Sequence, residues 1–131
     1  MKIVHLPKKL YVGTYEYSLN VVARSHPDLA EDNGGTHWDE DNRRIAIAEG
    51  LPPRQRLSTI MHEVIHAIND VCGIDDGMLP KTEEDLTEAQ GEAWTHFLID
   101  NPKFDRWLTY SLSCIRQAQR KGGNDGNSKT E

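Results

Sequence analysis

At 131 residues, with 37% hydrophobic and 27% charged side chains, the chain has the size and balance of one soluble globular domain. Its net charge of −6 argues against nucleic acid as the main partner, and the short basic groups Lys8-Lys9, Arg43-Arg44 and Arg54/Arg56 read as solvated surface. No segment approaches the roughly 20 apolar residues of a membrane span, and "MKIVHLPKKLYVG" lacks a signal peptide's apolar stretch, so no membrane association and a cytoplasmic location are expected.

Residues 10–24, rich in Tyr, Val and Leu with partial alternation, predict one strand or two short ones. Residues 25–41, "SHPDLAEDNGGTHWDED", are polar and punctuated by Pro27, Gly34 and Gly35, and predict mostly loop. "RRIAIAEG" alternates, with Ile45 and Ile47 on one face, and predicts an edge strand. Pro52 and Pro53 suit a turn or the first turn of a helix, where a missing N–H costs little. From residue 55 to 71 the apolar positions Leu57, Ile60, Met61, Val64, Ile65, Ile68 and Val71 trace one face of an α-helix, with Gly73 where its end is expected.

Residues 73–81 read as loop. Thr87 and Gln90 fit a capping box opening a second helix, and Pro102 stops it. Residues 103–120 predict a third helix, and the polar, glycine-rich residues 121–131 predict a disordered tail, leaving 1–120 as a single domain. Strands followed by helices predict an α+β fold, a small mainly antiparallel sheet packed on the helix of residues 55–71. Cys72 and Cys114 are too far apart in sequence for a typical zinc pair and read as free buried thiols.

The chemistry sits in "LSTIMHEVIHAIND", residues 57–70. On a helix, residues four apart are stacked about 6 Å apart along the axis, so His62 and His66 can offer imidazole nitrogens to one ion. Glu63 lies about 100° round the axis, poorly placed as a ligand but well placed beside a metal-bound water. This is the HExxH pattern of two zinc ligands and a general base. A third histidine six residues on is absent, since Cys72 stands there, so the third ligand is expected from the next helix. Glu88 and Glu92 are the candidates. With Thr87 as cap, Glu88 would sit at the first helical position and Glu92 one turn further in, and His96 could join the surrounding shell.

"HEVIHAI" followed about 25 residues later by "EAQGEAWTHFLIDNP", with "GGTHWDEDNRRIAIAEGLPPRQRLSTI" upstream, resembles small gluzincin-type metallopeptidase-like proteins of bacteriophages and mobile elements, distantly similar to the ImmA/IrrE peptidases. The likeness spans roughly residues 34–102. It implies a minimal zincin-like domain with a second ligand-bearing helix, His62, His66 and Glu92 as zinc ligands, and Glu63 as base. Thr95 stands where these relatives usually carry alanine.

Two functions are expected from these residues. In the first, zinc-activated water hydrolyses a peptide or protein substrate, with Glu63 moving the proton and His37 or Tyr110 as candidate donors to the oxyanion. "RRIAIAE" would form the cleft rim, with Arg43 and Arg44 favouring acidic substrates. In the second, zinc only stabilises a small non-catalytic domain that binds a host or phage target. Glu63 separates the two, because a structural zinc needs no carboxylate there.

Overall fold

Alternating apolar residues at Leu10 and Val12, and at Tyr17 and Leu19, build a hairpin that starts the sheet in a computed structural model describing residues 3–39, 41–71 and 83–126. Strands β1 (Lys9–Val12) and β2 (Tyr15–Val22) pair antiparallel across a two-residue turn, where Gly13 takes the positive φ of 62° that such turns require. A 3-10 turn at Pro27–Leu29 leads into β3 (Gly34–Asp39), which returns antiparallel as β4 (Asn42–Ala48). β4 also pairs parallel with β2, giving the order β1-β2-β4-β3. The protein is thus α+β with a mainly antiparallel sheet, followed by helices α1 (Pro53–Val71), α2 (Glu83–Asp100) and α3 (Pro102–Gly126).

The strand register places Leu10, Tyr17, Leu19, Ile45 and Ile47 on one face. All five are buried, together with Ile60, Val64, Ala67 and Ile68, which recur at helical spacing on α1. α1 starts where its prolines allow: the Pro52 carbonyl accepts the first helical bond from the Arg56 N–H at 2.8 Å, and Pro53 occupies the first turn. Trp94, Phe97, Phe104 and Trp107 close the core with successive ring-centroid separations of 5.7, 5.2 and 5.5 Å.

Asn101 is the only residue between α2 and α3, and it is buried. Its Oδ1 accepts from the Tyr11 N–H at 2.7 Å, while its Nδ2 donates to the carbonyls of Tyr11 and Phe97, each at 2.7 Å. One side-chain amide therefore satisfies the outward N–H and C=O of Tyr11 on β1 as a neighbouring strand would.

Four expectations need correction. "GGTHWD" is a strand rather than loop: it pairs antiparallel with β4, Thr36 bonding to α1 on one face and His37 to the 3-10 turn on the other. "RRIAIAE" is not an edge: β4 lies between β2 and β3, which explains why Ala46 and Ala48 are as buried as the isoleucines between them. α2 opens at Glu83, so Thr87 lies within the helix rather than capping it. α3 continues through residues 121–126, past the point where composition places a tail. Cys72 and the expected loop at 73–81 fall outside the described residues, as do 127–131. Among the described residues, no helix is long and apolar enough to cross a membrane.

Candidate metal centre

α1 divides its motif between two environments. Its apolar face turns Glu63 into the interior, leaving the side chain 6% exposed, while His62 and His66 remain on the open side. The two histidine Nε2 atoms converge to 3.1 Å with ring centroids 4.7 Å apart. Two nitrogens bound tetrahedrally to one zinc ion at about 2.0–2.1 Å would be separated by about 3.3 Å. The observed spacing therefore suits a shared ion, and the imidazole pair fits two places of such a site.

Glu63 is held from β3. Thr36 Oγ1 donates at 2.8 Å to Glu63 Oε1 and lies 3.1 Å from the Glu63 main-chain carbonyl. That anchor occupies one carboxylate oxygen, and the other, Oε2, lies 3.9 Å from His62 Nε2. The close approach of strand and helix depends on Gly34. A Cβ there would sit 2.9 Å from Thr59 Cγ2 and 3.0 Å from Glu63 Cγ, in addition to 3.2 Å from Oε2. Gly34→Ala is expected to lower stability by about 1–3 kcal/mol and to move Glu63 relative to the histidines. Denaturant unfolding would measure the first effect, and the distance between Glu63 and His62 in a structure of the variant the second.

The imidazoles and Glu63 line an open cleft of about 640 Å³ between α1, β3 and the 3-10 turn. Asp70, one turn beyond His66, also lines it, but Asp70 Oδ2 is 3.3 Å from both Arg43 Nη1 and the Tyr17 hydroxyl. Arg44 is equally engaged. Its Nε and Nη2 donate to the two Asp28 carboxylate oxygens at 2.7 and 3.1 Å, and its Nη1 donates to Asp39 at 3.1 Å. This hydrogen bonding holds the Asp28 carboxyl below its usual range, whereas burial pushes the Tyr17 phenol up. Both arginines thus have carboxylate partners within the chain, which removes the basis for their favouring acidic substrates.

Of the two candidate oxyanion donors, His37 lines the same cleft but its ring is engaged elsewhere, and Tyr110 lies outside it. Side chains alternate along a strand, so His37 and Gly35 point away from the face on which Gly34 and Thr36 meet Glu63. His37 Nε2 donates to the Asp28 main-chain carbonyl at 2.6 Å, and a Cβ at Gly35 would collide with that same carbonyl. Tyr110 belongs to a separate apolar groove between the N-terminal segment, α1 and α3. Its phenol is raised chiefly by a hydrogen bond with the half-buried Cys114.

Glu88, Glu92 and His96 are exposed on α2 and are not among the residues lining the cleft. Among the described residues, no three His, Cys, Asp or Glu side chains come together to hold one ion. The structure therefore assembles His62, His66 and Glu63, and leaves Glu92 apart from them. Thr36 and Gly34 carry no signal in the sequence, since their roles arise only when β3 meets a helix about 27 residues away.

The mixed sheet, the motif helix and the inward-turned glutamate define a small zincin-like domain. A model of the M78 peptidases, described as the IrrE N-terminal-like domain, matches residues 17–116, and the chain belongs to this family of metallopeptidases. The matched range begins within β2, runs through α1 and α2, and ends in α3. No curated protein and no solved structure matches the chain.

Proposed function

We propose that this protein is a zinc-dependent peptidase acting in the cytoplasm on peptide or protein substrates, with His62, His66 and Glu92 as ligands and Glu63 as general base. The observation that carries the reading is the division of labour at Glu63: Thr36 anchors one carboxylate oxygen, and the other faces the converging imidazoles. When bound, the ion would polarise the scissile carbonyl and make a neighbouring water more acidic. Glu63 accepts that water's proton and returns it to the departing amine. β3, the open rim of the sheet beside this centre, receives the substrate backbone as an added strand.

Glu92 joins the site in this proposal only if α2 shifts. α2 packs on β1 and α3, and Gln90 Nε2 on α2 donates to Asn69 Oδ1 on α1 at 2.7 Å. Metal analysis of the purified protein should give about one zinc per chain, and His62→Ala should lose it. Glu92→Ala should also weaken zinc retention while Glu88→Ala does not; the reverse result would reassign the third ligand. A non-catalytic zinc domain remains the competing function. It would gain nothing from an inward carboxylate at this position, and zinc binding without zinc-dependent hydrolysis of any peptide would favour it.

A further inference from the structure

Trp38 lies two residues along β3 from Thr36, and strand alternation puts both on the face turned towards α1. Its side chain lines the cleft, yet the residue is 56% exposed. A large aromatic group left open beside a reaction centre offers contact area to whatever enters. This one also has a guanidinium behind it. The Arg43 guanidinium sits 4.6 Å from the Trp38 ring centroid and 3.8 Å from that of Tyr15, so it is stacked between the two rings. Asp70, 3.3 Å away, balances its charge.

We infer that Trp38 forms a specificity subsite for an aromatic or large aliphatic side chain of the substrate, two residues from the one facing Glu63. The inference rests on the proposal that the substrate lies extended along β3. In such an added strand, every second side chain points towards α1, at intervals of about 6.6–6.8 Å. The substrate residue opposite Thr36 then stands beside Glu63, and the next one on that face meets the indole. Charge plays little part in the selection, because the guanidinium behind the ring is already paired with Asp70. What is presented is a flat, apolar surface in contact with the guanidinium, which favours planar or bulky apolar partners.

The test uses two peptide series, one with Phe and one with Ala, scanned through each position of an otherwise constant sequence. Binding is measured by calorimetry to the zinc-loaded Glu63→Gln protein, and cleavage is measured with wild type. At one position Phe should be preferred by about three- to tenfold. Trp38→Ala, introduced into both proteins, should abolish that preference, and Trp38→Phe should restore most of it. A preference that survives Trp38→Ala overturns the inference, as does the absence of any preference or of any peptide binding. Failure of the peptidase reading looks different: wild type cleaves nothing, while the calorimetric preference still reports on Trp38.

Discussion

Glu63→Gln is expected to reduce peptide hydrolysis by about 10²–10⁴-fold while leaving the zinc content unchanged. The amide has nearly the same shape as the carboxylate, so its carbonyl oxygen can still accept from Thr36, and neither histidine is altered. What is lost is the capacity to take a proton 3.9 Å from His62 Nε2. Turnover and metal content measured on the same preparations separate this from damage to the centre. A variant as active as wild type would remove Glu63 from the reaction and with it the main support for catalysis.

The largest effect on stability is expected far from the cleft. Asn101→Ala should cost about 3–5 kcal/mol, because it deletes three hydrogen bonds and leaves the Tyr11 N–H and C=O and the Phe97 C=O without that partner. Urea unfolding is the appropriate measurement. Asn101→Asp should keep the acceptor for Tyr11 N–H but lose both donated bonds and place a charge at a buried position, so it is not expected to rescue stability. A loss below about 1 kcal/mol for Asn101→Ala would show that water replaces the amide at this joint.

α1 was the most legible element: seven apolar residues at helical steps fix its existence and most of its buried face, although Ile65 ends up exposed and Ala67 is buried in the core. The same periodicity places His62 and His66 together outside that face, and their nitrogens do converge. β3 was illegible for a physical reason: Gly34, Gly35, Thr36 and His37 are chosen for close approach and hydrogen bonding at a groove, and those choices look like loop chemistry. With β3 looking like loop, β4 looks like a rim, although the near-complete burial of residues 45–48 marks a central strand. Partners distant in sequence were also hidden, as with Arg43 and Asp70, or Arg44 and Asp28, whose pairing depends on topology. Asn101 read only as the residue before a helix-stopping proline, because nothing local reveals that it will meet β1.

With Asn101 stoppering one border of the sheet and β3 the edge strand at the other, the described residues leave a guest chain one lane along which to zip. A folded protein has few stretches whose own backbone bonds are unspent, so on the proposed function cleavage falls on frayed ends, unwound linkers and chains already opened by other events. Selectivity among intact cellular proteins would then be governed as much by how readily each one lets a segment come loose as by the letters in that segment.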